Sequence, residues 1–260
     1  MVFNFEIAIP SYNREDILPK KTLKMLYDLG VNSNKIRIFL RDEQQLEKYK
    51  KSCGENYNYE LTGQSGILAT RNYLQVYYHE INTKSDGVLF IDDDITKITE
   101  KDRVFLSKPF MELVEYFFIE TKKRGARLWS VNALNNEFFM KDNISTNLKY
   151  CIGAFKGVIL DRTRDTILCD IGHFEDFQFT FEYFLEDGVV VRFNKYGITT
   201  KYFELQGGIC GSLGGMKERQ KEMEENGKYM IERYGDMVKI KMKKWGTDLR
   251  MNYRYEIDSD

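Results

Sequence analysis

Three consecutive carboxylates, Asp92, Asp93 and Asp94, close the apolar run of the segment GVLFIDDDIT at 87–96. Adjacent carboxylates repel one another, and water or a cation relieves the repulsion most easily. The plain reading of an isolated aspartate triplet is an acidic turn. The chemical reading is a divalent ion, because magnesium or manganese is held by one or two carboxylates with substrate phosphates completing the shell. In a D-x-D pair on extended backbone the outer side chains point to one side. That puts Asp92 and Asp94 together and turns Asp93 elsewhere or onto a ribose.

Those aspartates need a frame. FNFEIAIPS reads as a first strand stopped by Pro10 and Ser11. Between 17 and 29, Leu23, Leu26 and Leu29 recur at helical spacing before Gly30. KIRIFL (35–40) is a strand and DEQQLEKYKKS (42–52) a short charged helix. The stretch 66–81 is a helix with Ile67, Leu74, Tyr78 and Ile81 on one face, and GVLFI is a central strand. Strands alternating with helices imply parallel pairing and helices on the sheet faces. Further on, 109–125 is a helix, 127–132 and 151–160 are strands, 174–188 is a helix and 189–194 a strand. A glycine-rich loop at 207–215 precedes a charged helix from about Met216, and the tail at 238–254 alternates and is basic. With no repeat or obvious linker, the expectation is one α/β domain over residues 1–260.

Bulk composition narrows the classes. The chain has 260 residues, enough for a closed core, with 39 Lys plus Arg against 40 Asp plus Glu. That balance neither demands nucleic acid nor excludes it, since a basic patch can sit on a neutral protein. The 17 Tyr and 18 Phe suit a packed core and also a groove that stacks flat ligands. Cys53, Cys151, Cys169 and Cys210 form no CxxC pair, which argues against zinc and against a disulfide framework. Neither a signal-peptide pattern nor an apolar window of membrane-spanning length is present, so no membrane association is expected and a reducing cytoplasm is the expected address.

In open α/β sheets, ligands bind beyond the carboxyl ends of the strands, where PSYNRED and DDD both fall. The ordered set IAIPSYNRED, GILATRN, VLFIDDD and HFEDFQFTFEYF resembles a nucleotide-sugar-dependent glycosyltransferase of the GT-A fold. Within that fold it is most similar to the TET-associated glycosyltransferases, which include the base J glucosyltransferases and phage DNA-modifying enzymes. The likeness covers about residues 5 to 210. It implies a Rossmann-like, mixed but mostly parallel sheet flanked by helices, with a nucleotide-binding half (1–95), an acceptor half (96–215) and a helical, basic extension (216–260). It implies transfer of a sugar from a UDP-sugar to a hydroxylated pyrimidine in DNA such as 5-hydroxymethylcytosine, with Mn²⁺ or Mg²⁺ as cofactor.

Carried over by residue, the resemblance places Pro10, Ser11, Tyr12 and Arg14 around the nucleotide, the Tyr12 ring against uracil. Arg71 and Asn72 fall near the ribose, diphosphate or sugar. Asp94 becomes the direct metal ligand and Asp92 its partner in the D-x-D pair and a ribose contact, with Asp93 also on the donor side. Glu175 and Asp176 match the acidic pair near the acceptor, where inverting enzymes keep a general base. The late histidine of many relatives is missing, since His79 and His173 are the only two.

Each of these residues also has a plainer reading. Arg14 and Arg71 read alone are surface arginines, and Glu175 and Asp176 suit a helix N-terminus. His173 is a local hydrogen-bonding residue and His79 a helix-face one. The stripe Phe177, Phe179, Phe181, Tyr183 and Phe184 reads as core before it reads as a stacking platform. The glycine-rich loop is either a connector or a cover that brings Lys217 or Arg219 to the diphosphate. Lys239, Lys241, Lys243, Lys244, Arg250 and Arg254, interleaved with Trp245, Tyr253 and Tyr255, form a solvated face or a phosphate-tracking one. Two other functions stay open: transfer to a saccharide or lipid-linked acceptor, and a non-catalytic nucleotide- or DNA-binding module.

Overall fold

The apolar run ahead of the aspartates lies at the centre of a nine-stranded sheet in a computed structural model that describes residues 3–200, 216–243 and 246–257. The strands are β1 (Phe5–Pro10), β2 (Ile36–Leu40), β3 (Asn58–Leu61), β4 (Gly87–Ile91), β5 (Lys97–Glu100), β6 (Leu128–Asn132), β7 (Ile144–Ser145), β8 (Phe155–Ile159) and β9 (Val191–Thr199). Their order is β3-β2-β1-β4-β8-β6-β9-β5, with β7 on β9. The β3-β2-β1-β4 half is parallel, as the strand–helix alternation implies. Around β8 the pairing turns antiparallel, Phe90 lying opposite Lys156, and parallel pairing returns between β6 and β9. The expected mixed α/β sheet is therefore present, with its parallel part concentrated in the first half.

Alternation along β1 builds two cores. Ile7 and Ile9 face a cluster that holds Trp129, Phe117 and Phe118, whereas Ala8 faces one that holds Leu74, Phe179 and Phe181. Helices α1 (Thr22–Asp28), α2 (Glu43–Cys53) and α4 (Phe110–Lys123) bury their apolar residues in the first cluster. Helices α3 (Ile67–Val76), α5 (Glu175–Asp187) and α6 (Met216–Tyr234) do so in the second.

Two helices differ from their sequence expectation. Pro19 sits in a 3₁₀ turn, Leu18–Lys20, so the helix expected over 17–29 begins only at Thr22. The helix expected over 66–81 ends as α3 at Val76 and widens into a π turn, Tyr77–Ile81. The wider turn breaks the 3.6-residue period, leaving Leu74 and Tyr78 buried but Ile81 exposed.

The basic tail is a hairpin, β10 (Val238–Lys243) with β11 (Gly246–Met251). Met230, Tyr234, Val238 and Leu249 share one core with Phe181 and Phe184 of α5, and Arg233 Nη2 reaches Glu182 at 2.7 Å. The glycine-rich segment 207–215 and the side chains of Lys217 and Arg219 lie outside the described residues. Among the described residues, no helix is long and apolar enough to cross a membrane.

Candidate active site

From β1 the chain passes outward to β2 and β3 and then returns to the other side of β1 as β4. That reversal opens a crevice at the carboxyl ends of β1 and β4, the place where open α/β sheets bind ligands. Pro10 ends β1 there and Asp92 follows β4, its amide held by the Ala154 carbonyl at 3.0 Å.

The strand stops at Ile91, and Asp93 and Asp94 lie in a turn. Extended-strand alternation therefore does not govern the triplet, whose three carboxylates meet different partners. Asp92 points to Arg71, with Nη2 to Oδ1 at 3.1 Å. Asp93 and Asp94 both face Arg14, at 2.6 and 3.6 Å. Asp93, expected to turn elsewhere or onto a ribose, is buried: Ser11 Oγ donates to it at 2.5 Å, and Ser11 in turn meets the Tyr49 hydroxyl at 2.7 Å. Burial raises the Asp93 pKa from 3.8 to about 6, outweighing the attraction of Arg14. Burial also raises Asp94, against the hydrogen bond it accepts from Thr200 Oγ1 at 2.7 Å. Arg14 is desolvated too, yet Asp93 and Asp94 hold its pKa above the ordinary value. Arg14 and Ser11 thus brace the triplet from beneath.

Tyr12 keeps its ring half open to solvent, with the Arg41 guanidinium 4.6 Å from the ring centroid. Asn72 lines the crevice, but its amide is engaged on both sides by Cys169: Nδ2 donates to the carbonyl at 2.8 Å and Oδ1 accepts from the amide at 2.9 Å. It clamps the loop ahead of α5.

That loop enters α5 through Phe174 at φ 70°, a left-handed conformation that non-glycine residues seldom adopt. Of the next two residues, Glu175 lines the crevice and Asp176 adjoins it. Glu175 is buried and ion-paired to Arg71, whose guanidinium therefore bridges β4 and α5. A Cβ built on Gly153 would lie 2.1 Å from Arg71 Nη1, so glycine leaves the path the guanidinium takes. Asp176 accepts a hydrogen bond from the Tyr150 hydroxyl. Both acids lie in the first turn of α5, where the helix dipole favours them, and Asp176 Oδ1 also accepts from the Phe177 amide at 3.0 Å. Within the aromatic stripe, Phe179, Phe181, Tyr183 and Phe184 are buried as core. His79 bonds the Asp161 carbonyl at 3.1 Å, and His173 packs edge-on to Phe174.

Sequence reasoning missed Tyr150, Gly153, Lys156 and Thr200. Lys156 had a signal: a lone cation inside the apolar run CIGAFKGVIL. It is 3% exposed, its ammonium 3.5 Å from the Phe179 centroid, and burial with nearby Arg71 lowers its pKa to about 8.

Among the described residues, no group of three or more His, Cys, Asp or Glu forms a metal cage. Asp92 lines the crevice, partly exposed, with an Oδ2 that bonds no described residue, and Asp94 follows two positions on, buried beside Thr200. That donor set fits a hard divalent ion completed by phosphate and water.

No family model and no curated protein matches the chain. Solved structures do. Residues 1–349 of S. aureus TarS align at a TM-score of 0.51 and 14% identity, over 88% of this chain and 66% of that one, so this chain spans just under two thirds of it. Glucosyl-3-phosphoglycerate synthase from Mycobacterium tuberculosis, in complex with Mn²⁺, UDP and glucosyl-3-phosphoglycerate, aligns at 0.52 and 12% identity, over 96% and 88% of the two chains. A mycobacterial protein aligns at 0.54 and 8%, over 96% and 84%. At these identities the likeness establishes the fold, which is the GT-A fold.

Proposed function

We propose that this chain is a divalent-metal-dependent glycosyltransferase that takes its sugar from a UDP-sugar. The observation that carries the reading is the convergence, at the β1/β4 crevice, of the aspartate turn on one side and the acidic start of α5 on the other, joined by Arg71. The fold is shared with an enzyme solved with Mn²⁺ and UDP, which supports the same donor here.

In this reading Asp94 and Asp92 would hold Mn²⁺ or Mg²⁺, which when bound would supply positive charge to the departing diphosphate. Tyr12 stands against the base, while Pro10, Ser11 and Arg14 shape and brace the nucleotide pocket. Arg71 faces the sugar or diphosphate, and Lys217 or Arg219 is assigned to the diphosphate. The bond from the sugar's anomeric carbon to the diphosphate breaks as the bond to the acceptor oxygen forms. Asp176 takes the acceptor hydroxyl proton, with Tyr150 fixing its carboxylate and Glu175 anchored to Arg71. Attack from the face opposite the diphosphate makes the reaction inverting.

The acceptor in the finer reading is a hydroxylated pyrimidine in DNA such as 5-hydroxymethylcytosine. What supports it is the place of the basic tail beside the acceptor end. Lys149, next to Tyr150, has its ammonium 4.0 Å from the Tyr253 ring centroid, and Asn147 donates to the Tyr253 carbonyl at 2.7 Å. In the hairpin, exposed Lys239 and Arg250 lie directly opposite each other, an arrangement of like charges that an anionic partner stabilises.

The test is sugar transfer from radiolabelled UDP-sugars with Mn²⁺, offered unmodified DNA, hydroxymethylated DNA or a glycan. Label on hydroxymethylated DNA alone, lost in Asp94→Ala, is the expected result. Label on the glycan alone removes the DNA acceptor. Absence of both transfer and UDP release, with every sugar nucleotide, returns the chain to a binding module.

A further inference from the structure

The two arginines of the site each have carboxylate partners. Arg14 has Asp93 and Asp94, and Arg71 has Asp92 and Glu175. Lys156 has none: among the described residues its ammonium makes no ion pair and no hydrogen bond, only the ring contact with Phe179. A lone buried charge costs more than a desolvated cation–π contact returns. An apolar residue would suit the position better for folding, because its same-face neighbours Phe90, Val158 and Phe179 all belong to the core.

The site keeps the charge where a ligand can use it. Lys156 lines the crevice together with Arg71, Asp92, Gly153 and Glu175. The carboxylates within the crevice are already taken, Asp92 and Glu175 by Arg71 and the neighbouring Asp176 by Tyr150. The ammonium is therefore the one cation of this lining that retains its capacity for an incoming anion.

We propose that Lys156 is the floor of an anion subsite that receives a carboxylate or phosphate oxygen of the bound donor. The inference deepens the glycosyltransferase reading and rests on it for the identity of the ligand. Two sources present such an oxygen: the carboxylate of a hexuronic sugar and the diphosphate itself. A sugar carboxylate makes Lys156 a selector of donor, while a diphosphate oxygen makes it a contact common to all donors.

Calorimetric titration of the full chain and of Lys156→Met with UDP, UDP-glucose and UDP-glucuronic acid, all with Mn²⁺, separates these sources. A preference of tenfold or more for UDP-glucuronic acid over UDP-glucose, lost in the variant, identifies the sugar carboxylate. A tenfold or larger loss for all three ligands identifies the diphosphate. Unchanged affinities for all three overturn the subsite. A second readout needs no nucleotide: the Lys156 side-chain NMR resonance, assigned by its absence from the variant, is followed as inorganic phosphate or acetate is added to the wild-type chain. If UDP ligands fail to bind but this resonance titrates, the subsite stands and the donor reading falls; a resonance that moves with neither anion nor nucleotide overturns the subsite. Methionine in place of a lone charge leaves the melting temperature at or above that of the parent.

Discussion

Arg71 is the strut between the two halves of the proposed site, and removing it has a calculable consequence. Its side chain is 16% exposed and that of Glu175 is 11% exposed, so this pair counts as buried. Breaking a buried pair by removing one partner costs roughly 3–5 kcal/mol, because the other charge stays behind. Asp92 is 32% exposed at 3.1 Å, and that arm is worth at most about 1 kcal/mol. Arg71→Met is expected to destabilise the chain by about 3 kcal/mol, since α5 can shift to wet Glu175. Glu175→Gln alone leaves Arg71 its Asp92 partner and costs about 1–2 kcal/mol. Once the carboxylate is neutralised, loss of the cation matters less, so the double variant falls short of the sum by about 2 kcal/mol. Urea unfolding of the four proteins, with unchanged slopes, measures that coupling. Additivity within about 0.5 kcal/mol would show that the bridge does not join β4 to α5, and the picture of the crevice would be wrong.

Gly153→Ala places a methyl group where the Arg71 guanidinium lies, so it is expected to displace that flexible group rather than unfold β8, with activity falling about tenfold or more; activity and melting temperature measured together check this. Asp176→Asn lowers turnover by about 100- to 10,000-fold with little change in donor KM, while Tyr150→Phe, which only frees the carboxylate, lowers turnover by about tenfold. Steady-state kinetics with a fixed acceptor distinguish the two variants. Burial raises Asp93 from 3.8 to about 6, so the folded chain binds a proton there that the unfolded chain has released. This contribution to stability is complete below the unfolded value and is lost as pH rises through about 6, by up to about 3 kcal/mol. Urea midpoints between pH 4 and 7 in EDTA show it as a slope that Asp93→Asn removes.

Much of this was readable in the residues. Pro10 and the Asp triplet end the two apolar runs that became β1 and β4, and the order of strands and helices was enough to place both at one edge. Edge strands were harder to see. β3 (NYEL) and β5 (KITE) lack a continuous apolar run, and β3 is only half-buried along its length. The antiparallel turn of the sheet at β8 was also hidden, because strand direction is set by partners far away in sequence. Side-chain partners were the least legible. Extended alternation left the partner of Asp93 open, and the turn after Ile91 delivers it to Arg14. Asn72 lines the crevice, but the hold that the loop at Cys169, distant in sequence, has on its amide is not legible in ATRN. The basic tail read as an alternating segment became a hairpin because Val238, Leu249 and Met251 found a core beside α5.

The central claim is that the aspartate turn and a divalent ion together hold the diphosphate of a sugar nucleotide. Anomalous diffraction from crystals soaked with UDP and Mn²⁺ tests it most directly. The account predicts one manganese peak at roughly 2.1–2.2 Å from a carboxylate oxygen of Asp94 or Asp92, in contact with diphosphate oxygens, with the uracil beside Tyr12. Manganese or nucleotide lodged away from the β1/β4 crevice would contradict it.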